Sequence, residues 1–381
     1  MHLIWENLVK NLILLWTGEF KGMDEGSEDY ELTKAIWEAI AASTASASDT
    51  IPSAFGSRVP NISKDRPNVS AEMWSFWTFY LGPVLLRRRF KNVKYYCHFI
   101  QLVRLLNLCI QFEITLTKHA PVPVPMLNYW EPCLQPGIRS RRFPWASIDR
   151  YVTEVAQLTQ IKTRYNVAQE LSLTAPRGAV AGSLQDPSYP TCILIPPKSP
   201  ARPDARHIKP IAAAMSTRLN IPVGRVITAL QEATIEEWGK VQRIDSEAGD
   251  TMRSCSLGVV AEDSRDATYV RYEMLFELQT FYGQLTHIYH IHFPESCPEL
   301  RIDAQTTYIL AAIRSCTLKD DEKLLEKLDI HFYSRTGALD VIDITSVQSL
   351  IGRVKATKDE WGIIDRSGAL ARAQWLGEED L

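Results

Sequence analysis

The chain has 381 residues, 45% of them apolar and 23% charged, which excludes wholesale disorder and suggests roughly two or three modules. Its 42 Lys and Arg stand against 45 Asp and Glu, a net charge of −3 with a pI near 6.3. An overall basic field is thereby excluded, and any nucleic-acid contact has to come from local patches.

In chain order, the first segment does not read as a signal peptide, because Glu6 and Lys10 interrupt its apolar run and no basic stretch precedes it. Ile4, Leu8, Leu12 and Leu15 recur at helical spacing instead, which predicts a packing helix ending near Gly18. Nowhere does the chain reach ~18 uncharged apolar residues, so no membrane span is expected. An acidic loop around Asp24, Glu25, Glu28 and Asp29 leads to a short helix carrying Ile36, Trp37 and Ile40. The small, polar, aperiodic residues Ala41 to Asp49 predict a flexible surface stretch.

Ser70 is placed to cap a helix whose stripe is Trp74, Trp77, Tyr80 and Leu81, with Gly82-Pro83 breaking it. A second helix spans about Val93 to Ile114, with Tyr95, Phe99, Leu102, Val103, Leu106 and Ile110 on one face. A third follows Pro144 and carries Ile148, Tyr151, Val152, Val155, Leu158 and Ile161. Between the last two, five prolines from Thr115 to Gly137 forbid a regular helix.

Pro176 to Pro210 is rich in Pro, Gly and Ser, holds a candidate strand around Cys192 to Ile195, and marks a boundary. Residues 208–231 read as two helices joined by a turn at Asn220-Ile221-Pro222. From Trp238 the period changes to two. Strands are expected at Tyr269 to Tyr272, Leu285 to Phe293, Thr307 to Ile313, Asp329 to Tyr333, Leu339 to Ile344 and Trp361 to Ile364. Arg335-Thr336-Gly337 reads as a hairpin turn between two of these runs. The expected class is α+β: an α-helical module (1–175), a Pro/Gly-rich linker (176–207), a helical hairpin (208–235), a β-rich module forming a sheet or small barrel (236–370), and a tail (371–381).

The hairpin has helix-turn-helix spacing, with Ile211, Ala212 and Met215 before the turn and Val223, Val226, Ile227 and Leu230 after it. The outer face of its second helix offers a DNA reader only Arg225, Thr228 and Gln231, so a plain helical hairpin is the competing reading. Arg87, Arg88, Arg89, Lys91 and Lys94 form one basic run; Arg139, Arg141, Arg142 and Arg150 form another. Arg forks match phosphate oxygens, so both runs are candidate nucleic-acid contacts, against the alternative of solvated helix ends. His287, His290 and His292 lie on an expected strand, with His290 and His292 on one face. That spacing suits zinc if a further ligand such as His331 or Cys297 joins them; ordinary strand histidines are the alternative. The seven cysteines (Cys97, Cys109, Cys133, Cys192, Cys255, Cys297 and Cys316) are scattered without a CxxC pair, which points to free thiols in a reducing compartment. There is no GxSxG elbow, P-loop or GxGxxG turn, and carboxylates such as Asp24, Glu25, Asp245 and Asp250 fall in loops without a paired environment.

Several long strings carry a resemblance: residues 11–32, 74–92, 105–115, 138–162, 239–253 and 276–285. They resemble the C-terminal portion of fungal Plavaka transposases, which are similar to the plant CACTA (En/Spm-like) group. The resemblance implies a cut-and-paste transposase whose RNase H-like core holds two Mg²⁺ ions with three acids. The first two acids are expected upstream of Met1, and the third in a Glu-Arg-Tyr string before Leu134-Gln135-Pro136. This chain instead reads Asn128-Tyr129-Trp130-Glu131-Pro132-Cys133, leaving Glu131 as the nearest stand-in. Leu116 to Leu127 and Glu273 to Phe276 are also shorter than the family pattern, as after internal deletion. The expectation is a nuclear, transposase-derived accessory fragment with no cofactor of its own and not catalytic by itself, associated with transposon-end DNA or transposase subunits. The alternatives are a protein–protein module that presents Trp74 and Trp77 to a partner, and a non-functional transposon relic.

Overall fold

The computed structural model describes residues 2–20, 29–109, 181–196, 203–244, 250–256, 265–274, 279–319, 325 and 328–366. The helix expected after Pro144 and the proline-rich crossing before it lie outside these residues. The fold is α+β, as expected.

The chain enters through a π-helical turn, His2–Leu8, that passes into α1, Val9–Trp16. Trp5, Val9, Ile13 and Trp16 are buried on its inner stripe. Gly18 then takes a left-handed φ of 69°, and the Glu19 N–H returns to the Leu14 carbonyl at 2.8 Å, satisfying a carbonyl that the helix end would orphan.

Helix α2, Lys34–Ala47, overturns one expectation. Ala41, Thr44 and Ala47 belong to no flexible stretch; they are buried on the inner face of this helix. Small side chains there let the helix approach a tryptophan closely, and Thr44 Oγ1 accepts from Trp77 Nε1 at 3.1 Å. Aperiodic composition thus concealed a packing face.

Ser70 caps α3, Ala71–Phe76, accepting from Met73 N at 3.3 Å. The helix widens into a π-helical turn over Trp77–Leu81 and continues as α4, Gly82–Leu85, so Gly82-Pro83 does not break it. Proline lacks an N–H and its ring collides with the carbonyl one turn back; a wider turn relieves both. Helix α5, Val93–Cys109, brings Phe99 against Trp16 and Trp77.

A small antiparallel sheet joins β1, Cys192–Ile195, to β3, Lys240–Arg243, and β4, Thr251–Arg253. Tyr189, Cys192 and Leu194, from the stretch expected as a linker, enter the same core as the N-terminal helices.

Six longer strands follow: β5 Tyr269–Met274, β6 Gln279–Phe293, β7 Thr306–Leu318, β8 Ile330–Asp343, β9 Val347–Thr357 and β10 Glu360–Asp365. They pair antiparallel in the order β6-β5-β9-β10-β8-β7, and β7 pairs back onto β6 from Gly283↔Ser315 to Phe293↔Thr306. That last ladder closes a barrel. A further strand, β2, Thr234–Trp238, adds to the outer edge of β6. Arg335-Thr336-Gly337 is not a turn but the middle of β8, with Thr336 opposite Cys316 and Arg335 opposite Thr317. Its glycine marks a close approach instead, since a Cβ there would lie 2.6 Å from Ser315 Oγ.

Tyr269, Tyr282, Cys316, Tyr333, Ile351 and Ile363, one from each barrel strand, pack on one another and fill the lumen. The alternate residues, such as Val270, Leu285, Phe332, Leu350 and Ile364, join the N-terminal helices in a single shared core. The helical hairpin forms as expected, from α6, Ala205–Leu219, and α7, Val223–Leu230. Asn220 turns between them at φ 54°, and Ile211, Met215, Val226 and Leu230 cover Tyr289, Ile291 and Leu310 of the barrel.

Candidate nucleic-acid interface

Between α4 and α5 the chain turns sharply, and Arg88 sits in the turn at φ 60°, a left-handed conformation that costs a side-chain-bearing residue about 1–2 kcal/mol. The expected basic run divides here into inward and outward members. Arg87 points inward: its Nη1 lies 2.7 Å from Glu360 Oε2, both side chains are less than a tenth exposed, and its Cζ is 4.2 Å from the Phe332 ring centroid. Half-buried Arg89 reaches the carbonyls of Leu85 and Ala356 at 3.4 and 3.5 Å. Arg88, Lys91 and Lys94 are exposed.

The barrel adds to this face. The Arg89–Ala356 contact sets the turn beside the β9–β10 hairpin, whose Lys355 and Lys358 are exposed. Lys319, at the end of β7, donates to Glu360 Oε1 at 2.6 Å. Burial pushes the Glu360 carboxyl up, but the hydrogen bond from Lys319 and the charge of Arg87 outweigh it and hold the group below the ordinary carboxylate value. Glu360 is therefore ionised and neutralised within the fold. Exposed Asp359 is the acid on this hairpin tip, and among the described residues Arg88, Lys91, Lys355 and Lys358 outnumber it here, on a chain of net charge −3.

The second expected run (Arg139, Arg141, Arg142) and Glu131 lie outside the described residues. His290 and His292 do share a face, as β6 dictates, but their parallel rings are 6.4 Å apart. His290 Nδ1 is 3.6 Å from Glu236 Oε2, and His292 Nδ1 pairs with Thr307 Oγ1 at 3.2 Å. His331 instead stands 5.2 Å from the Tyr282 ring, and Cys297 packs under the hairpin, so neither joins them. Among the described residues no group of three or more His, Cys, Asp or Glu side chains is arranged to hold a metal ion. The two Mg²⁺ ions that the family resemblance implies find no fit in them.

Asp250 is buried and accepts the Leu350 N–H at 3.1 Å, a post beneath β9. Trp74 and Trp77 are fully buried, so the exposed tryptophan stripe expected of a protein–protein module is overturned. Trp37 and Thr44 of α2 and Phe99 of α5 pack against Trp77.

No family model, curated protein or solved structure matches the chain. Among the described residues no helix is long and apolar enough to cross a membrane.

One polar constellation escaped the sequence pattern. His287 is the diagonal neighbour of Glu237 across the β2–β6 ladder, and its Nδ1 lies 2.6 Å from Glu237 Oε1. Ser256 donates to the same oxygen at 2.7 Å, and Ser254 Oγ is 2.8 Å from Ser256 Oγ. The serines sit on the carboxylate side of the imidazole, so the arrangement orients His287 without activating a nucleophile. Only the strand register unites these residues, and no local motif encodes it.

Proposed function

We propose that this chain is a transposase-derived accessory region that holds the phosphate backbone of nucleic acid and does not itself cut it. The observation that carries the reading is the outward basic turn, exposed Arg88 and Lys91 on a turn that Arg89 ties to the β9–β10 hairpin at Ala356 and that the buried Arg87–Glu360 pair braces. A cationic face on an anionic chain suits a polyanion, and a braced turn keeps its charges in place without a large ordering cost. The resemblance to Plavaka transposases supports transposon-end DNA as the partner and the nucleus as the compartment.

The test is binding of the full chain to duplex DNA, followed by fluorescence anisotropy over a salt series. Arg88→Gly with Lys91→Ala should weaken binding and reduce the slope of log K against log salt by about 0.9 for each phosphate no longer neutralised. Arg88→Gly removes the charge while relaxing the left-handed backbone, so weaker binding would not reflect unfolding. Absence of binding at low salt, or a slope unchanged in the double variant, would remove the role from this face.

A further inference from the structure

The first turn of α6 meets the barrel through two imidazoles. His207 lies against His287 of β6 with ring centroids 4.3 Å apart and planes inclined by 50°, and its Nδ1 is buried without a hydrogen-bond partner. On the far side, His287 Nδ1 is engaged by Glu237 at 2.6 Å. Burial pushes the Glu237 carboxyl up, yet the hydrogen bonds from His287 and Ser256 and the two histidine charges bring it below its ordinary value. An ionised carboxylate only accepts, so the proton between them sits on His287 Nδ1.

We infer that the His207–His287 contact is a proton-operated latch: while His207 is neutral the helical hairpin stays seated on β6, and protonation of His207 unseats it. A proton added to Nδ1 becomes a buried N–H with no acceptor, and it places a positive charge against the His287 ring, 4.3 Å away between centroids.

The groups that face His207 do not relieve this. From its own turn come Asp204 and Arg206, but Asp204 is engaged by Arg206, taking its backbone N–H at 3.3 Å and its Nε at 3.0 Å. From β6 come His287 and Tyr289, the latter with its ring centroid 6.0 Å away. From β2 comes Glu237, already accepting from His287 and Ser256. Burial first, then the His287 charge, holds His207 below the ordinary histidine value, with Glu237 and Asp204 opposing.

The sign follows from that direction. The unseated hairpin exposes His207 and binds its proton more tightly than the seated one, so the seat is intact above the ordinary histidine pKa of about 6.5 and is lost as pH falls below it. Glu237, with its depressed carboxyl, adds a loss of the same sign at lower pH. The rest of the hairpin contact is largely apolar (Ile211, Met215, Val226 and Leu230 on Tyr289, Ile291 and Leu310); Arg218 of α6 also pairs with Asp343 of β8, a contact that His207→Phe leaves in place. The latch is independent of whether the basic turn binds nucleic acid.

Amide hydrogen exchange of the full chain at about pH 7.5 and about pH 5.5, corrected for intrinsic rates, tests it. Protection across α6 and α7 should fall by more than about threefold on acidification relative to β8 and β10. His207→Phe, which keeps an aromatic ring without a titrating nitrogen, should abolish that response. Equal loss in hairpin and barrel, or an acid response that survives in His207→Phe, would overturn the latch. Should that variant not fold, a proton NMR titration of the wild-type histidines decides. His207 titrating below free histidine, in step with α6 resonances, supports the latch; titration at or above that value overturns it.

Discussion

Replacing Glu360 by alanine removes the carboxylate that ties the basic turn to the barrel. Arg87 and Glu360 are 9% and 8% exposed and 2.7 Å apart, and breaking such a buried pair from one side costs about 3–5 kcal/mol because a charge is stranded. Arg87 keeps its seat over Phe332, a contact worth about 0.5–2 kcal/mol when desolvated, which places the net cost near the lower end, about 3 kcal/mol. Lys319 binds the same carboxylate at 2.6 Å but is 47% exposed, so Lys319→Ala should cost less than about 1 kcal/mol. Arg87→Met with Glu360→Leu, which removes both charges, should recover most of the stability. Urea unfolding followed by circular dichroism reads each difference as a shifted midpoint at constant m. The Glu360 carboxyl is held below its ordinary value; its contribution is therefore complete above the unfolded carboxylate pKa and lost as pH falls through the lower folded one. The acid limb of the wild-type stability curve should flatten in Glu360→Gln. A cost below about 1 kcal/mol for Glu360→Ala, or an equal cost for Lys319→Ala, would refute the reasoning.

Three further outcomes are expected. Gly283→Ala should cost about 3 kcal/mol or prevent folding, because its Cβ would stand 2.5 Å from Ile313 Cγ2 and 2.7 Å from the Arg314 carbonyl oxygen; a normal melting curve would contradict the packing at the β6–β7 seam. Gly224→Ala, on α7 with nothing within 4 Å of its Cβ position, should instead stabilise the hairpin by about 0.5–1 kcal/mol, read by thermal melting. Thr44→Val leaves the Trp77 indole N–H without its 3.1 Å acceptor and should cost about 1–3 kcal/mol in urea unfolding, with no change counting against that bond.

Elements with one buried face were legible in the sequence. Ile211, Met215, Val226 and Leu230 mark the two hairpin helices at the correct turn, and Trp74 and Trp77 mark the helix that Ser70 caps. The strands β6, β7 and β10, buried on both faces, were read from their β-branched and aromatic content, but β9 was not. In β9, Leu350 and Ile351 are adjacent and both buried, one in the shared core and one in the lumen, so the period-two signal that reveals a half-exposed strand disappears. Helix α2 was cut short for a related reason, since Ala41, Thr44 and Ala47 are too small to register as an apolar stripe although all three are buried and Thr44 bonds the Trp77 indole. At the candidate interface, the basic run was visible as composition, but the inward turn of Arg87 depends on Glu360, 273 positions later. The Glu237–His287 pair likewise depends on strand register, which no local string contains.

The barrel's own side chains fill its lumen. Arg353 runs into it with its Cζ 3.5 Å from the Tyr269 ring centroid and 4.7 Å from that of Trp361. Its Nη1 donates to Tyr333 Oη at 3.1 Å and its Nη2 to Asp266 Oδ2 at 2.7 Å. Elsewhere on the inward face, Asp365 accepts from Tyr282 Oη at 3.0 Å and lies 3.7 Å from Arg271 Nη1. A small barrel filled by its own aromatic rings and paired charges leaves its axis to those side chains and not to a ligand. The same charges pin the strands: a one-residue slip of β9 would exchange Arg353 with Val354 and drive a guanidinium into the apolar core shared with the helices. The barrel is thus held to one register from within, while the basic turn beside β9–β10 and the hairpin that meets β6 through His207 are attached outside it.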